Sequence, residues 1–200
     1  MGRISNTDAS VGETLEMIKE MHDLDQASVN WRGGPEWAYK TTHRSQISDD
    51  DSITFQFPEY IQLHQDVWIA YEWNYHRTSR VILHEHLLIC LSRLETISTP
   101  NDVSALQELS LSIIRSLVDD ILSTVPQSLG DIDHEGNLLG NSTGASMCKG
   151  IGGYFLLWPI KVIKETKSAE AGQRATAQAV FERIRECTGM KSLLGDASSI

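Results

Sequence analysis

Basic charge is scarce in this chain: 17 Lys plus Arg stand against 27 Asp plus Glu, for a net charge of −10. Proteins that bind DNA directly gather cations on one face, because phosphate neutralisation supplies most of their affinity. No such run exists here. Even Lys161, Lys164 and Lys167 are spread at helical spacing, so direct nucleic-acid binding by this segment is not expected. Cysteine is equally sparse. Cys90, Cys148 and Cys187 are odd in number and far apart, which fits neither a disulfide framework nor a metal knuckle. They read as small buried hydrophobes.

Long hydrophobic runs are missing too. The longest, Tyr154 to Ile163, is broken by Pro159 and Lys161 and is too short to span a bilayer. The opening MGRISNTDAS has no apolar stretch of the signal-peptide kind. Ser5 stands one residue short of the place where a myristoylation site needs Ser or Thr. The expectation is an intracellular protein, nuclear or cytoplasmic, without membrane association. There is no nucleophile elbow G-x-S-x-G, no P-loop and no G-x-G-x-x-G in a strand–helix setting. No cofactor and no metal are expected.

What is present is the composition of a globular domain, 40% hydrophobic and 22% charged over 200 residues, enough to bury a core unaided. The periodicity is helical. Ser10 with Glu13 makes a capping-box pattern, and Val11, Leu15, Ile18 and His22 follow at 4-3-4 spacing. That predicts a short helix over about residues 11–22. From residue 28 to 53 the chain reads as irregular, with a WRGGPEW turn and an acidic SDDDS loop at 48–52. Residues 60–95 hold neither Gly nor Pro. Val67, Tyr71, Thr78, Ile82 and Ile89, widened by Trp68, Tyr75 and Leu83, trace one stripe of a long central helix.

Thr99-Pro100 opens the next helix, whose Leu106, Leu109, Ile113, Leu117 and Ile121 face inward until Pro126 stops it. After a polar loop, Ile151 to Lys164 is apolar nearly all round and predicts a buried helix, kinked near Pro159. Ser168 caps a last helix that turns Ala175, Ala179, Phe181 and Ile184 inward and ends before Gly189. No alternating strand pattern is evident. The expected fold is all-α, an irregular bundle of five or six helices around one long central helix. Residues 1–57 form a short helix plus an irregular, partly flexible region, and residues 58–196 form the helical domain.

The chemistry-bearing residues cluster on the central helix. Arg77 and Arg80 are three apart and share a side; they could grip an anionic effector or a partner helix, and interhelical ion pairing is the plainer account. Glu72 and His76 lie on a neighbouring face. His84 and His86 are two apart and point about 200° from each other, so they cannot chelate together. His86 and Cys90 could share an ion only with two further donors. Asp131-x-Asp133-x-Glu135-Gly136 copies the start of a calcium loop, but Ser142 stands where a bidentate Glu is required. It reads as an acidic turn. Gly150-Ile151-Gly152-Gly153 suits close helix packing, since no strand precedes it. Trp31, Arg32, Trp37 and His43 could line a pocket from the irregular region.

The segment DVWIAYEWNYHRTSRVILHEHLL (66–88) resembles a recurring stretch of fungal zinc-cluster transcription regulators. There a long helix carries a Trp, an Asn, an Arg-x-x-Arg pair and an apolar tail; here these are Trp73, Asn74, Arg77, Arg80 and Val81 to Leu83. STVPQSLGDID (123–133), GGYFLLWPIKVIK (152–164) and FERIRECTGMKSLLG (181–195) resemble the family's helix stop, buried aromatic segment and closing helix, in the family's order. The six-cysteine cluster that binds zinc in such proteins does not occur in these residues. What the resemblance implies is the C-terminal helical scaffold alone, a non-catalytic regulatory domain. It would act through a protein partner, through self-association by apolar helix faces, or through a small hydrophobic or anionic effector. The effector would meet Trp73, Arg77 and Arg80, with Trp31 and Trp37 nearby. The rival expectation is a cofactor-free cyclase or isomerase of fungal secondary metabolism on the same scaffold, with Glu72, His76, His84 and His86 as its acid–base groups.

Overall fold

The computed structural model describes residues 5–29, 32–46, 57–95, 100–139 and 150–188. Thr99, Gly189, the acidic 48–52 loop and Trp31 lie outside them. The all-α expectation is met. Among the described residues five long helices occur, α1 (Ser5–Val29), α2 (Val67–Glu95), α3 (Pro100–Leu122), α5 (Gly150–Glu165) and α6 (Ala171–Thr188), with a four-residue α4 (Val125–Ser128) after α3. None of them is long and apolar enough to cross a membrane.

Two expectations about elements are overturned. The first helix is longer than residues 11–22, and Ser10 sits inside it rather than at its cap. A small antiparallel sheet also exists, β1 (Lys40–His43) against β2 (Tyr60–Leu63), in register Lys40↔Leu63 to His43↔Tyr60. The central helix therefore starts at Val67 instead of at residue 60. Asp66 sets that start: its Oδ1 accepts the Trp68 N–H at 2.9 Å, the geometry of an N-cap. Four-residue strands are too short to display an alternation, and these are held from outside. The Gln127 side-chain amide accepts the His64 N–H at 2.7 Å and donates to the His64 carbonyl at 2.6 Å. The Gln62 N–H meets the Ser123 carbonyl at 3.1 Å. All three bonds tie β2 to the α3–α4 corner.

The core lies between α2 and α3 and is closed by the α5–α6 pair, with Val81, Ile114, Val118, Ile121, Leu156, Ile160, Val180 and Ile184 buried at its centre. Ile61 and Leu63 enter it from β2. A smaller cluster of Leu91, Leu94 and Val103 receives Val11 and Ile18 from α1. Burying such side chains stabilises by about 1.5–3 kcal/mol each relative to exposure.

The faces of several helices are rotated from the expected ones. On α2 the buried line is Ala70, Asn74, Arg77, Val81, His84, Leu87 and Leu91, while Trp68, Tyr75 and Ile89 are about half exposed. On α3, Leu117 and Ile121 are buried as expected, but Leu106 and Leu109 are exposed and Ser110 and Ile114 face inward. α5 is buried on one face only; Ile151 and Tyr154 are open to solvent. Its Phe155 and Trp158 lean on the aromatic row of α2, with ring centroids 4.4 Å from Tyr71 to Phe155 and 4.6 Å from Tyr75 to Trp158. On α6 the inward residues are Ala177, Val180 and Ile184, with Ala175 exposed. Ser168 is not the cap of α6. Its N–H donates to Glu85 Oε1 at 3.2 Å, and Gln173 reaches back to accept the Glu170 N–H at 2.9 Å, the glutamine half of a capping box.

Gly152 shows why α5 opens on glycines. A methyl group there would overlap the Ser128 carbonyl oxygen and its carbon, so α4 and α5 meet backbone to backbone. Gly12, in α1, has open space around it. Gly152→Ala is expected to destabilise by about 2–3 kcal/mol or more, through overpacking against backbone that cannot move aside. Gly12→Ala should stabilise by about 0.5–1 kcal/mol, as a helix-interior glycine replaced without a clash. Urea denaturation of the two variants checks this, and equal effects would contradict the close packing.

Candidate functional site

Arg77 is the most deeply committed of the expected site residues. Only 3% exposed, it donates to Gln62 Oε1 at 2.8 Å, to the Asp120 carbonyl at 3.3 Å and to Asn74 Oδ1 at 3.4 Å. The Asp120 carboxylate is 3.9 Å away, and the Trp73 and Tyr39 rings lie 5.2 and 5.7 Å from its guanidinium carbon. Burial pulls its pKa down, and the charge of Asp120 opposes that. Asn74 donates onward to Thr124 Oγ1 at 2.8 Å. Trp73 donates its indole N–H to the Trp37 carbonyl at 3.0 Å, and the Arg32 guanidinium lies 3.4 Å over the Trp37 ring while bonding Glu72 at 2.6 Å. Trp37, Trp73, Glu72 and Arg77 thus tie the N-terminal stretch to α2.

Arg80 turns the other way. Its Nε and one terminal nitrogen bond the two Asp25 oxygens at 2.7 and 3.0 Å, a bidentate pair between α2 and α1. The two arginines expected to act together therefore diverge, and each has its hydrogen-bonding capacity directed at this chain. Asp25 is 1% exposed. Burial would raise its pKa, but the bonds and charge of Arg80, aided by His84, hold it below the usual carboxylate range.

His76 and His84 flank Arg80 one turn to either side, facing α1. Burial lowers the pKa of His76, with the Arg80 charge adding to it and a hydrogen bond to the Ser28 backbone opposing it. His84 is 3% exposed, and its Nε2 lies 3.4 Å from Asp25 Oδ1. Neither ring nitrogen of His84 has a well-aligned hydrogen-bond partner. Burial lowers its pKa against the attraction of Asp25, which favours the neutral imidazole. His86 is on the opposite side, exposed, with Nδ1 2.9 Å from the Ile82 carbonyl. The four acid–base suspects do not converge.

A cavity of about 230 Å3 opens beside this group, between α1, α2 and α3. Ile18, Leu87, Leu91, Leu106, Leu109 and Ile113 form its apolar wall. Asp25, His84 and Ser110 supply its buried polar wall, and Lys19, His22 and Gln26 of α1 complete the lining. Because Asp25 pairs with residues 80 and 84 while Val11 and Ile18 pack near Leu91 and Leu94, α1 runs antiparallel to α2. The cavity is consequently polar at the Asp25 end and apolar at the Ile18 end.

Sequence reasoning missed Asp25, Ser110 and His64. Asp25 had a signal: it lies three residues beyond His22, continuing the stripe of Val11, Leu15, Ile18 and His22. His64 had none. It is 1% exposed, both ring nitrogens lack partners, and burial with the Arg77 charge pushes its pKa down to about 3. Among the described residues no three His, Cys, Asp or Glu groups are placed to hold a metal. Asp131 is paired with Arg183, and Asp133 accepts the N–H groups of Glu135 and Asn137 from its own turn. Cys90 is buried, with its sulfur 3.8 Å from that of Met17. No family model, curated protein or solved structure matches the chain.

Two predictions come from these buried groups. Asp25→Leu should destabilise by about 3–5 kcal/mol, because it strands Arg80 in a largely buried place. Adding Arg80→Met to it should recover part of that loss, as a urea double-mutant cycle would read. For His64, the unfolded chain takes up a proton near pH 6.5, whereas the folded ring does so only near pH 3. Stability is then full above pH 6.5 and falls on acidification by about 1.4 kcal/mol per pH unit. His64→Leu should remove about 2 kcal/mol of the stability difference between pH 6.5 and 5, and an unchanged pH slope would show that the ring titrates normally.

Proposed function

We propose that this chain is a non-catalytic helical regulatory domain that binds a small effector in the cavity between α1, α2 and α3. The observation that carries the reading is the cavity itself: an apolar chamber with a few buried polar groups at one end, the usual make-up of a small-molecule site. The residues that resemble the fungal zinc-cluster regulators support it from another side. Arg80 bonds Asp25 on the cavity wall, while Trp73, Asn74 and Arg77 tie α2 to the N-terminal stretch, the α3–α4 corner and β2. On this reading the chain serves transcription regulation in the nucleus, as that resemblance implies, with the cavity as its input.

The test is ligand-induced stabilisation by a small apolar probe, n-propylbenzene. At ten times its Kd a ligand specific to the folded state stabilises by about 1.4 kcal/mol, which is a Tm rise of about 3–6 °C for a chain of this size. Ile113→Trp, which fills the cavity from α3, should abolish the rise. The absence of any shift in a cooperatively melting wild type would sink the proposal.

A second reading, the cofactor-free isomerase, draws on one observation: a neutral imidazole, His84, beside a carboxylate on the wall of the same cavity. A neutral histidine can remove a proton next to a carbonyl. Deuterium uptake by a bound cyclic ketone in D2O, lost in His84→Gln, would favour the enzyme. Binding without exchange would favour the regulator.

A further inference from the structure

The cavity also limits the kind of molecule it can take, if its reading as an effector site holds. At about 230 Å3 it is about one and a half times the size of a dry cavity that holds benzene, so it suits roughly nine or ten non-hydrogen atoms. Its extent from Leu15 to Gln26 along α1 is about 16 Å at the helical rise. An elongated occupant fits better than a round one.

The charges at the polar end are already used. Both Asp25 oxygens are held by Arg80, so this wall is neutral as a unit. A ligand carboxylate at this end would face Asp25 in a desolvated setting, and a ligand cation would face Arg80; each is a like-charge contact without water to screen it. What the wall does offer is neutral. Ser110, 5% exposed, lines the cavity from α3, and no hydrogen bond engages its hydroxyl among the described residues. His84 lines it from α2, with both ring nitrogens lacking well-aligned partners. If Nε2 carries the proton toward Asp25, Nδ1 is left as an acceptor, and an acceptor calls for a donor on the ligand.

We infer that the effector is an uncharged, elongated hydrocarbon of roughly nine or ten non-hydrogen atoms that carries one hydroxyl group, bound with the hydroxyl toward Ser110 and His84 and the hydrocarbon toward Ile18 and Leu91. The hydroxyl both donates and accepts, so it matches a serine and a neutral imidazole together. The occupant is thus of the alkylphenol or medium-chain alcohol class.

The experiment compares three probes that share a propylphenyl body, 4-propylphenol, n-propylbenzene and 4-propylbenzoate, by calorimetric titration of the wild-type chain, Ser110→Ala and His84→Phe. 4-Propylphenol should bind about 3–10-fold more tightly than n-propylbenzene, the range of one net neutral hydrogen bond. It should exceed 4-propylbenzoate by tenfold or more. Ser110→Ala, a small change on a helix, should bring the phenol-to-benzene ratio close to one; His84→Phe should do the same. Benzoate binding as tightly as the phenol, with the head group moved to Lys19 or His22, would overturn the inference while leaving the cavity an effector site. So would a phenol preference that survives both variants. Failure of all three probes would overturn the site itself, and this inference with it.

Discussion

An arginine in the interior of a helix bundle has to be surrounded by acceptors, because an unpaired buried cation is strongly destabilising. Arg77 imposes that requirement on much of this molecule. Its acceptors come from three elements: the Gln62 side chain on β2, the Asp120 carbonyl at the end of α3, and Asn74 one turn away on α2. Meeting them fixes where β2 runs and how far α3 extends along α2. Asn74 passes the constraint to Thr124 at the α3–α4 corner, and Gln127 on α4 holds the end of β2 by the backbone N–H and carbonyl of His64. The small sheet is therefore held by this polar network as well as by Ile61 and Leu63 in the core.

Arg80 does the same for α1, with a different result. Among the described residues α1 meets the bundle through the Asp25–Arg80 pair and the Ser28–His76 hydrogen bond near its C-terminal end, and through the packing of Val11, Met17 and Ile18 near Cys90, Leu91 and Leu94. Between these anchors α1 presents Lys19 and His22, which do not fill the space against Leu87, Leu109 and Ile113. A Leu or Phe at those positions would close the gap and add to the core. The cavity is the space left where a helix is held at both ends and polar in the middle.

The helical class, the long central helix and the order of the long helices were legible in the sequence, because length without Gly or Pro and helical periodicity survive whatever the tertiary context is. The inward face of α2 was not. Periodicity arguments assume that apolar residues mark the buried side, and here Asn74, Arg77 and His84 are buried while Trp68 and Tyr75 are about half exposed. The two signals nearly cancel around the helix. The same cause hid the site. Of the suspected residues only His84 reaches the cavity, since Arg77, Trp73, Trp37 and Glu72 were chosen for their chemistry and spend it on one another's neighbours. Asp25 could have been found by extending the α1 stripe one step beyond His22. His64 follows a four-residue strand whose pairing is set by Gln127, 63 positions away, and no local pattern encodes that.

The location of the polar groups also bears on how a signal would leave the cavity. Asp25 and His84 line it, Arg80 bonds Asp25, and Arg80 lies one turn from Arg77 and nearly two from Asn74 on the same helix. A ligand that altered the Asp25–Arg80 geometry would act first on α1, the helix with the fewest other attachments, and only second on α2, which is fixed on its far side by Gln62, Asp120 and Thr124. The expected response is a change in how α1 sits against an otherwise fixed bundle. That follows from the unequal anchoring of the two helices: among the described residues the Asp25–Arg80 pair, the Ser28–His76 bond and a small apolar cluster hold α1, whereas a network of buried hydrogen bonds and the main core hold α2. Weakly held elements are where ligand binding can shift a population with little free energy, and here the weakly held element is a wall of the cavity.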